Sequence, residues 1–460
     1  MKITGIEIGE YRQFKNIKFD FTYPEGHPKA GQPLEKVCFI GQSGTGKTTL
    51  LNVIWEFFIL TDDAYQTIMN REVIHNNTND YDAFYSPLSL SVQVGNEQNV
   101  YRSKISKNDE NHILIRVSNA IEWLRDTNFG QYYKEMGKVC LYIEDGIANE
   151  FSRLSSNNKL FNDGELSSST RPVSEAELSQ IISQQEKEQQ KIARSKAVGV
   201  SYPLANLFWQ YILSDYRNYS KQLGKFMRKL IQESDRFSPE AFYKKAIEWR
   251  QDNANPLIDL AQKCLNPVLK KLRIEVDVDS TSETFTFKTT AGEPIEKLST
   301  GTKQLITTAL SIYKAEIKNG VILFDEPERS LFPDIQRELV KYYTGLAPEA
   351  QFFFATHSPI IAAAFEPEER FILYFDEDGE VKFRNGVAPI GDDPNDILRK
   401  DFGMSPLVPE EGVEAYQNYL DLATKIKNEP DIERRMELIA ERSILGNKYD
   451  FPATKADEKN

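Results

Sequence analysis

The chain has 460 residues, 40% hydrophobic and 27% charged, with a formal net charge of -13. This is the composition of a globular protein large enough for two or three packed units, and no apolar run reaches the ~18 residues a membrane span needs. So acidic a balance excludes a surface that is basic all over, though not a local basic patch. Three cysteines, Cys38, Cys140 and Cys264, stand far apart with neither metal nor disulfide spacing, which points to a reducing, cytoplasmic setting. Only four histidines occur, so a histidine-rich metal site is not expected.

The opening "MKITGIEIGEYRQF" alternates as a strand and lacks the apolar region of a signal peptide. Val37 to Ile40 predict a buried strand. The stretch that follows, "GQSGTGKTTLLNVIWEFF", fits Gly41-x-x-x-x-Gly46-Lys47-Thr48, a full P-loop pattern placed between a strand and a helix. Gly41, Gly44 and Gly46 let backbone N–H groups approach phosphate oxygens, and the helix start adds its partial positive charge. Lys47 would reach the β- and γ-phosphates, and Thr48, with Thr49 beside it, would complete the nucleotide set as a Mg²⁺ ligand. ATP and Mg²⁺ are the expected ligands. Residues 88–117 alternate as strands, and "KVCLYIEDG" closes a first lobe spanning 1–150.

A polar linker begins at Asp163, and a charged, Gln-rich helix follows whose apolar repeat is too short for a long coiled coil. Helices continue to Leu272, defining an insertion over 151–272. Within it Arg217, Lys221, Lys225 and Arg228 recur every three or four residues and share one helical face, interleaved with Tyr216, Tyr219 and Phe226. Lys270, Lys271 and Arg273 form a second cluster. Such a face reads either as a phosphate-tracking surface for DNA or RNA or as a solvated face paired with acidic neighbours.

"RIEVDVDS" and "TFTFKTTAG" predict a hairpin that opens a second lobe, 273–400. In "KLSTGTKQLITTALSIY", Ser299 and Gly301 open a helix, as a cap or an anion site. "VILFDEPERSLFP" reads as a buried parallel strand ending in Asp325 and Glu326, the edge where open α/β sheets bind ligands. Asp325 would hold Mg²⁺ through water, and Glu326 would orient or deprotonate the attacking water. "FFFATHSP" repeats the pattern one crossover helix later, where the His357 imidazole could donate to the γ-phosphate.

These four elements, in this order, resemble the head of an ATP-binding-cassette ATPase, with its P-loop, signature, Asp-Glu and histidine-switch motifs. "LSTG" resembles the signature, and "DEPERSLFP" resembles the Asp-Glu-Pro-Glu-x-x-Leu-x-Pro form of the RecF, Rad50 and OLD branch. "YRQFKN" is similar to that branch's opening strand. The resemblance covers roughly residues 1–150 and 285–400. Two positions depart from it: Thr300 replaces the usual signature glycine, and Phe332 stands where transporter cassettes carry an aspartate. The fold it implies is an α/β head with a mixed sheet and flanking helices, interrupted by the helical insertion and followed by a small helical appendix, 401–460. It also implies a homo-oligomer built from heads paired head to tail around two ATP molecules. Ser299 and Gly301 would then act in trans, and Lys47, Thr48, Asp325, Glu326 and His357 in cis. Gln93 and Glu144 both remain open as the glutamine-loop equivalent.

"GVEAYQNYLDLATKIKNEPDIERRMELIAERS" predicts two amphipathic helices, then a frayed tail. The segment carries no TOPRIM-like Glu and Asp-x-Asp arrangement and no HNH-type histidine cluster. "PNDIL...FGM" resembles the end of ATPase subunits of anti-phage modules, most nearly the Septu type, with the PARIS type as the rival. That resemblance implies an ATPase that regulates a separate effector nuclease. A RecF-like repair ATPase acting directly on DNA is the alternative; a transporter cassette has no use for so large an insertion.

Overall fold

A computed structural model describes residues 1–62, 88–102, 128–144, 196–200, 205–233, 237–279, 284–295, 297–404, 410–449 and 451. The strand expected over 103–117, the polar linker, the Gln-rich helix before Lys196 and the tail from 452 lie outside these residues. The chain forms two compact units, Met1–Asp392 and Asp393–Asn460.

Among the described residues the first unit is built on two large sheets and a separate two-stranded hairpin. Strands β1 (Lys2–Tyr11) and β2 (Phe14–Asp20) form a hairpin, β3 (Lys36–Gly41) leads into the P-loop, and helix α1 (Lys47–Thr61) follows it. Next come β4 (Leu88–Val94), β5 (Glu97–Arg102), helix α2 (Asn128–Glu135), β6 (Cys140–Ile143) and β7 (Ala197–Val200). The smaller sheet is antiparallel, in the order β2-β1-β4-β5.

The insertion supplies α3 (Ala205–Gln232), α4 (Pro239–Asp252) and a run of short helical turns over 256–272. The hairpin β8 (Ile274–Asp279) and β9 (Thr284–Thr289) then leads to α5 (Thr300–Ala315) and β10 (Val321–Asp325). Helix α6 (Pro333–Leu346), β11 (Gln351–Ala355), β12 (Arg370–Phe375) and β13 (Val381–Asn385) complete the unit.

Among the described residues the larger sheet has the order β13-β12-β3-β11-β10-β6-β7, parallel throughout except at the β12–β13 edge. Every residue of β10 and β11 is buried, so these strands show an unbroken apolar run where a one-sided strand would alternate. One core joins the two sheets: Phe19 of β2 and Phe21 just after it pack on Phe39, Phe353 and Phe371 of the larger sheet, with ring centroids 5.2 to 6.0 Å apart. Leu50, Leu51, Ile54, Phe57 and Phe58 of α1 enter the same core.

The N-terminal ends of β10 and β11 are fastened to the start of the chain. The Met1 ammonium donates to Asn319 O (2.6 Å), Lys2 Nζ donates to Glu349 O (2.7 Å), and the Gln351 side chain bridges Ile3 and Leu34. The opposite edge, where the strands end, is left for the P-loop.

Strand β7 falls inside the span expected as a helical insertion. Four small residues carry too little apolar signal to be read as a strand. Their smallness has a packing reason, because a Cβ on Gly199 would sit 3.2 Å from the Trp55 ring. His27, in the loop before β3, lies 3.4 Å from Glu366 and 3.5 Å from Glu368. Its Nδ1 accepts from the Lys29 N–H, which leaves Nε2 facing the two carboxylates and ties the loop to them.

In the second unit α7 (Pro394–Lys400) is capped by Asp393, and α8 (Glu410–Asn428) packs against α9 (Ile432–Tyr449). The Arg442 guanidinium lies 4.2 Å from the Tyr419 ring centroid, and Phe451 closes on Tyr416, Tyr419 and Tyr449. The pair of amphipathic helices read from the sequence is thus present. No helix among the described residues is long and apolar enough to cross a membrane.

Candidate nucleotide site

Strand β3 delivers the P-loop to the C-terminal edge of the sheet. Gly41, Gly44 and Gly46 all adopt positive φ. Gly46 shows why no side chain is allowed: at φ 95 its Cβ would lie 2.0 Å from Gln13 Nε2 and 2.7 Å from the Phe14 ring. The β1–β2 turn therefore packs directly on the loop. Helix α1 starts at Lys47, so its first N–H groups face the loop. The Lys47 ammonium donates to Gly41 O (3.1 Å) and Gln42 O (3.0 Å). Burial pushes its pKa down to about 8, opposed by Glu326, Asp325 and Glu328. Thr48 is exposed, whereas Thr49 is buried.

Asp325 ends β10 and accepts a hydrogen bond from Thr48 Oγ1 at 3.2 Å, joining P-loop to acidic pair across the sheet. It is buried, and burial pushes its carboxyl up to about 6 despite the Thr48 bond, with Glu326 and Glu328 adding to the rise. A hydroxyl and a destabilised carboxylate set side by side suit a hard divalent cation, whose charge would offset the burial of the anion. Glu326 turns the chain away at φ 46, with its N–H held by Ala355 O at 2.9 Å. His357 follows β11 and is exposed; partial desolvation, and then the Lys47 charge, push its pKa down. Lys47, Thr48, Asp325, Glu326 and His357 thus share one edge.

Glu328 also belongs to this edge, though sequence reading did not single it out. Its Oε1 accepts from Thr356 Oγ1 (2.6 Å) and from the His357 N–H (3.0 Å), and burial raises its pKa. The available signal was the second glutamate of "DEPE", but its partners stand 28 and 29 residues later, invisible until β10 and β11 pair.

The signature residues occupy a different place. Ser299 caps α5 and accepts from the Thr302 N–H (3.2 Å); among the described residues its exposed hydroxyl otherwise meets only Thr302 Oγ1 (2.8 Å). Gly301 is buried, and a Cβ there would lie 2.2 Å from Ser330 O and 3.3 Å from Leu331. This glycine, expected to act on a second chain, is thus required within its own chain.

Of the two open choices for the glutamine-loop position, Gln93 pairs with Lys2, whose ammonium reaches Glu349 at the opposite edge of the sheet. Glu144 directly follows β6, which runs parallel beside β10, and burial raises its pKa.

In the insertion, Arg217, Lys221, Lys225 and Arg228 are all exposed on α3. The aromatics do not interleave with them. Tyr216 is buried, and Tyr219 and Phe226 pack on Trp249 of α4 at 5.6 and 5.2 Å, because a helix turns residues one or two apart to different faces. In the second basic cluster, Lys270 pairs with Glu275 (3.5 Å) and Lys271 with Glu338 (3.9 Å), which is the solvated, paired reading.

A P-loop at the carboxyl edge of a parallel sheet, with an acidic pair on the next-but-one strand and a histidine on the strand between, is the arrangement of a P-loop ATPase. Residues 1–362 match the family model described as AAA ATPase domain; the chain belongs to that family and is an ATPase. No curated protein matches it. Among solved structures, the chain is similar to the Smc head domain with an extended coiled coil, bound to the C-terminal domain of ScpA, derived from Pyrococcus furiosus. That match has 14% identity and a TM-score of 0.35, and covers 84% of this chain and 96% of that one. The SMC head domain from Thermotoga maritima matches at 9% identity with a TM-score of 0.41, over 84% and 100% of the two chains. Likenesses this loose assign no residue a role.

Proposed function

We propose that this ATPase is the nucleotide-driven subunit of a cytoplasmic anti-phage defence complex. Its heads associate head to tail around ATP and thereby hold and regulate a separate effector nuclease. The observation that carries the association is the division of the motifs. Lys47, Thr48 and Asp325 are gathered at one edge, while Ser299 caps an exposed helix start and, among the described residues, bonds only within its own helix. A serine so placed is available to a second chain's phosphate, so hydrolysis and association become one event.

The chemistry follows from the cis residues. Bound Mg²⁺, held by Thr48 and Asp325, would neutralise charge on the β- and γ-phosphate oxygens. Lys47 leaves the Gly41 and Gln42 carbonyls for the phosphates. Glu326 takes the proton of the water whose oxygen joins the γ-phosphorus as ADP departs, and His357 donates to the γ-phosphoryl oxygens.

The defence role is supported by the sequence likeness of "PNDIL...FGM" to anti-phage ATPase subunits. Co-expression with the adjacent gene, followed by mass measurement of the purified complex, tests it: a co-purifying nuclease is expected, and a lone ATPase contradicts it. The exposed row of Arg217, Lys221, Lys225 and Arg228 favours a second reading, a RecF-like ATPase on DNA. Stoichiometric DNA binding by the chain alone would select it.

A further inference from the structure

We infer that Glu328 is a positioning residue for His357, and that it links this histidine to the start of the signature helix. The inference rests on His357 acting at the reacting phosphate. Glu328 sits in the turn after β10, and its carboxylate crosses to the end of β11. There a single oxygen, Oε1, holds both the Thr356 hydroxyl (2.6 Å) and the His357 backbone N–H (3.0 Å). Oε2 is buried with no hydrogen-bond partner among the described residues, so Oε1 alone ties the carboxylate to the end of β11. A buried carboxylate left half-satisfied is costly, and it persists only where the surrounding geometry holds it.

The bonds continue in a closed ring. The Ser358 N–H donates to Thr356 Oγ1 (2.9 Å), and Ser358 Oγ donates to Gln336 Oε1 (2.6 Å). Gln336 Nε2 donates to Leu331 O (2.8 Å), and the Leu331 N–H returns to Glu328 O (2.9 Å). The ring thus joins the β11 end, the first turn of α6 and the 328–331 turn. Gly301 rests on that same turn, in contact range of Ser330 O and Leu331. A displacement of the signature helix start is therefore passed to the 328–331 turn, and from there through Glu328 to the backbone that carries His357. None of these bonds involves Lys47, Thr48 or Asp325, so the phosphate-holding residues are left out of the linkage.

A double-mutant cycle on ATP turnover tests this. Glu328→Ala should lower kcat on the order of 10- to 100-fold, the scale of a small misplacement of a working group, with KM for ATP little changed. Glu328→Gln keeps an acceptor oxygen for both donors and should restore most of the rate. In a His357→Ala background, Glu328→Ala should cost almost nothing more. Should Glu328→Ala fail to fold, Thr356→Val removes the facing hydroxyl and should give the same non-additive pattern. Equal losses in both backgrounds, or a change in KM alone, would overturn the positioning role. A His357→Ala protein with wild-type kcat would instead remove the histidine assignment on which the inference rests.

Discussion

Burial lifts the Asp325 carboxyl to about 6, even though Thr48 donates a hydrogen bond that works the other way. An acid raised in this manner destabilises the folded chain wherever it is ionised. The penalty is absent below the unfolded value near 4 and fully present above about 6. Two outcomes follow. Without metal and nucleotide, Asp325→Asn should melt a few degrees higher than wild type at pH 7.5 in EDTA, and this advantage should shrink as the pH falls from 7 to 5. In the working enzyme, the Mg²⁺ concentration needed for half-maximal turnover should rise below pH 6, as the proton competes for the ligand. A variant that melts lower at pH 7.5 would mean that the carboxylate is already compensated. Lys47→Ala removes the cation that the proposed site would turn toward the phosphates and should abolish ATP binding in calorimetry with Mg²⁺; wild-type affinity would count against the P-loop assignment. Lys47, Asp325 and His357 were legible in the sequence because each sits in a local motif at a strand end. Glu328 was not, because its carboxylate is defined by partners on another strand.

At the scale of elements, the start of α5 has two separable requirements. Ser299 is exposed and is the candidate for contact with a second chain, whereas Gly301 is needed by its own fold. Gly301→Ala would push a methyl group into the Ser330 carbonyl and should cost about 1–3 kcal/mol, as overpacked sites do. Its melting temperature without ATP should fall, while Ser299→Ala should cost no more than the roughly 1 kcal/mol of a lost helix cap. An unchanged melting temperature for Gly301→Ala would return the glycine to a purely intermolecular role. The basic face of α3 has its own check. Replacing Lys221 and Lys225 by Glu should weaken any DNA binding for all sequences alike, leaving DNA-independent turnover intact. The salt slope should fall by roughly one unit for each phosphate no longer neutralised. Unchanged binding and slope would identify the row as a solvated face. The long apolar strands and the amphipathic helices could be read from their periodicity. Strand β7 could not, since its four residues are placed by pairing with β6 and by contact with Trp55, both fixed only in three dimensions.

Over the whole molecule, the proposed switch is an ATPase head whose exposed signature serine and edge-bound phosphate residues are completed by a second copy. The general base or water-orienting carboxylate in such a site typically supplies ~10²–10⁴-fold of the rate. Glu326→Gln keeps the shape of the group and removes its basicity, so ATP should bind, close the assembly and persist. The most direct test is the solution mass of Glu326→Gln with and without ATP and Mg²⁺, read beside its turnover. A site shared between two chains predicts turnover reduced by about that factor and an assembly of at least two chains that forms with ATP and disperses without it. Hydrolysis at the wild-type rate, or a mass indifferent to ATP, would contradict both the role of Glu326 and the switch built on it.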